Sequence, residues 1–78
     1  MQFQFITSNP RILGGKPILA GTRISVEFIL ELVASGGSVK EIVRKYPHLN
    51  EAAVREAILF AGHNLKNDFV LEAQPVLA

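Results

Sequence analysis

The sequence SVKEIVRKYPHLNEAAVREAILFA, residues 38–61, has the pattern of two short amphipathic helices separated by a proline. Ser38 followed three residues later by Glu41 is a capping box, in which each side chain accepts a hydrogen bond at the helix start, so the first helix begins at Ser38. Pro47 disfavours helix at Tyr46 and ends the helix there. Apolar residues recur along one side of this helix at positions i, i+3, i+4 and i+7, namely Val39, Ile42, Val43 and Tyr46.

The second helix of this pair has Asn50 as a favourable N-cap. Its apolar stripe has the same spacing and consists of Val54, Ala57, Ile58 and Ala61. Two such stripes that face each other across a turn of about four residues are typical of a helix-turn-helix. Because ordinary helical hairpins share this spacing, the pattern alone leaves the function open.

Another helix is predicted before this pair, with Ser25 as its N-cap and Gly36-Gly37 at its end. Its polar side chains fall in one narrow wedge, and apolar residues occupy the rest of its circumference. A helix with so much apolar surface is buried on more than one side. We therefore expect it to contact the helix pair, the hairpin and a second subunit. The residues expected at this homodimer interface are Phe28, Ile29 and Leu32.

The N-terminal segment is rich in β-prone residues. Residues 3–6 alternate between apolar and polar and predict an edge strand. Two further β-prone runs, 16–19 and 22–26, flank a two-residue loop ending in Gly21, which is typical of a β-hairpin with this glycine at positive φ. The predicted fold is therefore α+β and mainly α. It consists of a β-hairpin segment (1–24), a three-helix core containing the helix-turn-helix (25–62) and a C-terminal tail (63–78).

Length and composition limit the class of protein. Seventy-eight residues form a single domain with one small core, and an apolar content of 49% favours burial against another chain. The lack of cysteine excludes a disulfide framework and a thiolate metal site. No apolar run approaches the roughly 20 residues needed to cross a bilayer, and the N-terminus lacks the features of a signal peptide. We therefore expect a cytoplasmic protein without a membrane partner.

The net charge of +1 is too small to indicate nucleic-acid binding, but the charges are unevenly distributed, since all seven acidic residues lie after residue 23. Lysine and arginine bind DNA phosphates by displacing counterions. On the outward side of the second helix, Arg55 could hydrogen-bond guanine and Asn50 could hydrogen-bond adenine. The same residues also fit an ordinary solvated surface. The candidate DNA-binding residues are Arg11, Lys16, Arg23, Lys40, Arg44, Asn50 and Arg55.

Residues suited to catalysis or metal binding are not grouped in this sequence. His48 and His63 have no neighbouring carboxylate at metal-ligand spacing, and each is better explained as a turn or helix-end residue. No serine lies in a recognisable nucleophile motif, and no carboxylate pair is spaced for acid–base chemistry. We therefore expect no enzyme activity, no cofactor and no metal.

Five runs carry a resemblance to a known family: ITSNP (6–10), GGKP (14–17), GTRISV (21–26), SVKEI (38–42) and YP (46–47). Together they resemble the bacterial family called domain of unknown function 433, over about residues 5–61. The resemblance implies a fold similar to the DNA-binding half of VapB-type antitoxins, which is a β-hairpin before a homeodomain-like helix-turn-helix and is often dimeric. It also implies a PIN-like ribonuclease toxin as the partner that such an antitoxin silences while repressing its own operon.

Two functional hypotheses follow. The first is an antitoxin-type regulator that binds operator DNA as a dimer, and the second is a protein-interaction module that binds a partner without DNA. The outward side of the second helix is chemically mixed and fits both. The apolar tail also fits both, because it could pack on the dimer or bind a partner. The residues predicted on that outward side are Ala52, Arg55, Glu56, Leu59 and His63.

Overall fold

The computed structural model describes residues 3–65, in which two short strands precede three helices. The strands are β1 (Ile6–Thr7) and β2 (Ile18–Leu19), and the helices are α1 (Val26–Ala34), α2 (Val39–Lys45) and α3 (Glu51–Leu65). The predicted mainly helical α+β fold is confirmed. Within these residues no helix is both long and apolar enough to cross a membrane. Beyond Leu65, the predicted C-terminal tail lies outside the described residues.

The three helices begin at the predicted caps. The Ser25 hydroxyl accepts a hydrogen bond from the Phe28 N–H at 2.9 Å. Ser38 and Glu41 form the reciprocal capping box, at 3.1 and 2.9 Å. Asn50 Oδ1 accepts from the N–H at position 53, at 2.7 Å. Each such cap typically stabilises a helix by about 1 kcal/mol, so together they fix where the helices start.

Helix α1 ends at a glycine, as predicted. Gly36 has φ = +101°, a conformation that glycine adopts without the steric cost of a Cβ. The Gly36 N–H donates to Val33 O at 2.9 Å and the Gly37 N–H donates to Leu32 O at 3.0 Å, which together form a Schellman motif. Gly62 does not adopt the left-handed conformation, and α3 continues to Leu65. Gly62 therefore lies within α3 and does not end it.

The two-stranded sheet pairs β1 with β2 in antiparallel register, with Ile6 opposite Leu19 and Thr7 opposite Ile18. The predicted hairpin partner of β2, residues 22–26, contributes only a single bridge, between Ile18 and Ser25. It leaves the ladder after this bridge because Ser25 caps α1 and the chain must turn into the helix.

The predicted turn between these runs is present. Thr22 N–H donates to Leu19 O at 3.0 Å and closes the turn, and the Thr22 hydroxyl also donates to Leu19 O, at 2.8 Å. Gly21 has φ = +80°, which confirms the positive φ predicted for this glycine. The turn therefore depends on a backbone conformation that side chains with a Cβ rarely adopt.

The core lies between the three helices and β2. Helices α1 and α2 both pack against α3. Ile29 of α1 has 0% exposure and packs in this core, so it has no surface to offer a second subunit. The predicted dimer interface is therefore restricted to Phe28 and Leu32. The buried apolar residues of the core cluster are Leu19, Val26, Ile29, Ile42, Leu49, Ala53, Val54 and Ala57.

Candidate nucleic-acid interface of helices α2 and α3

The outer surface of α2 is predominantly cationic. Ile42 is buried against the core, which directs the opposite side of this short helix to solvent. Three of the four exposed residues on that side are cations, Lys40, Arg44 and Lys45, and the fourth is Glu41. The Ser38 backbone N–H, which donates to Glu41, holds the pKa of this carboxyl below its ordinary value of 4.5. Glu41 is therefore ionised at neutral pH and offsets one of the three cations.

The open side of α3 has a mixed composition. Four residues of this helix are exposed along one stripe, at positions 52, 55, 59 and 62. Arg55 is the only long polar side chain among them, and Leu59 is 56% exposed. We refer to Ala52, Arg55, Leu59 and Gly62 as the open side of α3.

Two residues predicted on the outward side of α3 are partly covered. The Glu56 carboxylate accepts a hydrogen bond from the Phe5 N–H at 2.8 Å. The Phe3 ring lies edge-on to Phe60, with centroids 5.1 Å apart, and 5.8 Å from the His63 ring. The N-terminal segment therefore packs along one side of α3. Glu56 and His63, which were predicted on the outward side, are therefore partly covered by residues distant in sequence.

Glu51 links the two helices. Its Oε1 lies 3.1 Å from Arg55 Nη2, one turn along α3, and its Oε2 lies 3.8 Å from Lys40 Nζ on α2. The cationic surface of α2 and the open side of α3 are therefore adjacent. Exposed ion pairs of this kind typically contribute about 0–1 kcal/mol, so a phosphate could replace the Glu51 carboxylate at little cost.

Asn50 has a structural role in this conformation. Because its Oδ1 is used as the N-cap of α3, bidentate recognition of adenine would require the cap to break. Of the two predicted base-reading residues, Arg55 is thus the one whose side chain is less committed, since its partner is the half-buried Glu51 carboxylate.

The N-terminal cations are not gathered with the α2 cations into one patch. Lys16 Nζ bonds Glu27 Oε1 at 2.8 Å, which ties the loop before β2 to the start of α1. This contact raises the pKa of Lys16 and lowers that of Glu27. Arg11 is exposed on the same loop. Arg23 lines an open cleft together with Tyr46 and His48, next to the turn between α2 and α3. Of the three N-terminal cations, Arg23 is thus the one that the structure brings near the helix pair.

The remaining dimer candidates lie between α1 and the end of α2. The Phe28 ring is edge-on to Tyr46, with centroids 5.9 Å apart, and Phe28 is half-buried. Leu32 lines an open groove together with Gly36, Ile42 and Tyr46. Part of the apolar surface of α1 is therefore covered by the chain itself.

Sequence reasoning missed both roles of the α3 carboxylates. The Glu51–Arg55 pair has a clear signal, because an acid four residues before a base on a helix is favourably placed. The Glu56–Phe5 hydrogen bond joins residues 51 positions apart and has no local signal. Within residues 3–65 no three histidine or acidic side chains lie together as a metal site requires.

Comparison with known proteins relates the chain to a family of unknown function. The sequence model of the family described as "Protein of unknown function (DUF433)" matches residues 6–61. The chain is similar to the uncharacterized protein y4eO of Sinorhizobium fredii, with 38% identity over 61 residues, which is 78% of this chain and 28% of that protein. The chain thus spans less than a third of the length of this relative. No solved structure matches the chain.

Proposed function

The chain belongs to the DUF433 family of proteins of unknown function, and on this premise we propose that it is an antitoxin-type regulator that binds operator DNA as a dimer. The observation that carries the proposal is the adjacency of the α2 cations and the open side of α3, which are joined through Glu51. In a helix-turn-helix, the first helix crosses the phosphate backbone and the second enters the major groove. Helix α2 precedes α3 and has exposed cations, which supports assigning the backbone position to α2 and the groove position to α3.

Phosphate contact is assigned to the exposed cations of α2. Lys40, Arg44 and Lys45 are presented on seven residues of helix, so they reach a short stretch of one strand. Each phosphate that they neutralise releases counterions, which makes the affinity fall with salt. In this proposal, Lys40 exchanges its 3.8 Å contact with Glu51 for a phosphate.

Base recognition is assigned to Arg55. Its guanidinium is exposed, and it can release Glu51 and bond the O6 and N7 atoms of guanine, the commonest specific contact in the major groove. Ala52 and Leu59 flank it and can meet a thymine methyl group. Because the base-contacting surface of one protomer is short, two copies bound to adjacent half-sites would recognise the operator together. Phe28 and Leu32 are the partly exposed apolar residues of α1 assigned to the dimer contact.

The experiment is a fluorescence-anisotropy titration with labelled duplex from upstream of the gene and with a scrambled duplex, at two salt concentrations. We expect Arg55→Ala to lose about 1–3 kcal/mol on the upstream duplex and little on the scrambled one. Arg44→Ala should weaken both duplexes equally and lower the salt slope by about one.

A matched pair of carboxylate variants provides the control. Glu51→Gln removes the acid between Lys40 and Arg55 and should tighten binding to both duplexes. Glu31→Gln makes the same change of net charge on the exposed side of α1 and should have a smaller effect. Equal and weak binding to both duplexes, with Arg55→Ala indistinguishable from the parent, would remove the regulator proposal.

The second candidate is a protein-interaction module whose partner, such as a PIN-like ribonuclease, contacts α3. The observation in its favour is the exposure of Leu59 on the open side of α3, where a leucine gains little from phosphate. If this candidate is right, Leu59→Ala should abolish co-purification with the product of the neighbouring gene, while Arg44→Ala should leave it unchanged. If Arg44→Ala abolished co-purification and Leu59→Ala left it unchanged, the protein-interaction candidate would be rejected.

A further inference from the structure

The loop between β1 and β2 displays a leucine in an unfavourable conformation. Leu13 has φ = +49° and is 51% exposed. Gly14 and Gly15 follow with φ = +67° and +89°, so three successive residues are left-handed. Among residues 3–65, Leu13 is the only residue other than glycine at positive φ. A strained residue persists only where its surroundings over-determine it, and such residues cluster at binding sites.

Hydrogen bonds hold this loop in place on both sides of the leucine. Before it, the Arg11 N–H donates to Asn9 Oδ1 at 2.9 Å, and Asn9 O accepts from the backbone at position 12, also at 2.9 Å. After it, the Lys16 N–H donates to Leu13 O at 3.3 Å, and the Lys16 ammonium binds Glu27 on α1. The leucine is therefore pre-organised, and a partner would not have to order it.

The loop also borders the turn between α2 and α3. Residues 1–23 contain three cations and no acid. Asn9 and Ile12 line the same open cleft as Arg23 and His48, and His48 lies in the turn between α2 and α3. A duplex held by α2 and α3 that extends past this turn would meet the loop, on which Arg11 is exposed.

We propose that Leu13 is a wedge that enters the minor groove of the DNA beside the α2–α3 contact and partly unstacks one base step. This inference rests on the proposed function. Proteins that bend DNA insert leucine, isoleucine, methionine or phenylalanine in this way, with arginines on the flanking backbone. Arg11, two residues before the wedge, and Arg23, across the cleft, supply those phosphate contacts. A pyrimidine–purine step is the preferred target, because it unstacks most easily.

The test measures bending directly, by energy transfer between dyes at the two ends of the upstream duplex. The parent should bend the duplex by about 20–90°. Leu13→Asn should abolish the bend, because asparagine tolerates the left-handed backbone but is polar. Leu13→Met should preserve the bend, because methionine is a wedge residue of similar length. Affinity should fall about tenfold with asparagine and little with methionine, as expected for losing one buried apolar side chain.

Each outcome decides one of the two proposals. A parent that binds the duplex without bending it, or an asparagine variant that bends it equally, overturns the wedge and leaves the regulator intact. A parent that binds no duplex removes the regulator, and the wedge with it. A large fall in the melting temperature of Leu13→Asn shows that Leu13 is a structural residue and overturns the wedge. Loss of bending with an unchanged melting temperature supports the wedge.

Discussion

Replacement of Glu56 by alanine should destabilise the fold more than replacement of Glu51, the other carboxylate of α3. The Glu56 carboxylate accepts the Phe5 N–H at 2.8 Å and joins the N-terminal segment to α3 across 51 residues of sequence. Hydrogen bonds to a charged group contribute about 1.5–3 kcal/mol, and water can reach this half-buried site, so we expect about 1.5 kcal/mol. For a domain of this size that corresponds to a fall in Tm of roughly 6–12 °C.

The assay is thermal unfolding followed by circular dichroism at neutral pH, with two companion variants. Glu56→Gln keeps an acceptor without the charge and should lose about half as much stability. Glu31→Ala makes the same substitution on the exposed side of α1, so it controls for the helix propensity of alanine. If Glu56→Ala and Glu31→Ala have the same Tm, the Glu56 carboxylate does not hold the N-terminal segment. The proposed reason why this segment packs along one side of α3 is then refuted.

Three further predictions concern the turn, acid stability and assembly. Gly21→Val should lower stability by more than about 1 kcal/mol, because φ is +80° there; an unchanged Tm would contradict the turn. Stability in urea should fall as pH drops below 4.5, because the pKa values of Glu41 and Glu27 are lowered in the folded chain and the unfolded chain then binds more protons. The loss should be smaller in Glu41→Gln, and an identical loss would exclude this carboxylate as a source. Sedimentation should show a dimer of the 8.5 kDa chain that Phe28→Asp dissociates; a folded parent monomer at micromolar concentration would reject the interface.

The local features of the fold are predictable from the sequence because they depend on short-range chemistry. The caps at Ser25, Ser38 and Asn50 follow from side chains that reach amides three residues away. The end of α1 and the turn at Gly21 follow from the freedom of glycine at positive φ. These features needed no knowledge of how the helices pack.

The features that the sequence did not predict depend on distant contacts. The pairing of β1 with β2 joins runs about a dozen residues apart. The nearer hairpin is limited to the bridge between Ile18 and Ser25, because Ser25 caps α1. The covered side of α3 depends on Glu56 and the Phe3 ring, which no periodicity connects. Burial of Ile29 was likewise ambiguous, because a helix that is apolar over most of its surface does not reveal which residues face its own core.

The seven candidate DNA-binding residues differ in how far the sequence could define their role. Charge and helical spacing identified the α2 cations correctly as an exposed group. Spacing could not show that Lys16 is paired with Glu27 or that Asn50 is used as a cap, because both outcomes depend on atoms within about 3 Å.

A nuclear magnetic resonance titration of the isotope-labelled chain with its upstream duplex locates the contact surface residue by residue. If α2 and α3 bind DNA, the amide signals of residues 40–45 and 51–59 should shift, and the shifts should diminish at high salt. Signals from the exposed side of α1, at Glu31 and Ala34, should stay unchanged. Shifts confined to α1, or a spectrum that the duplex leaves unaltered at low salt, would contradict DNA binding by this helix pair.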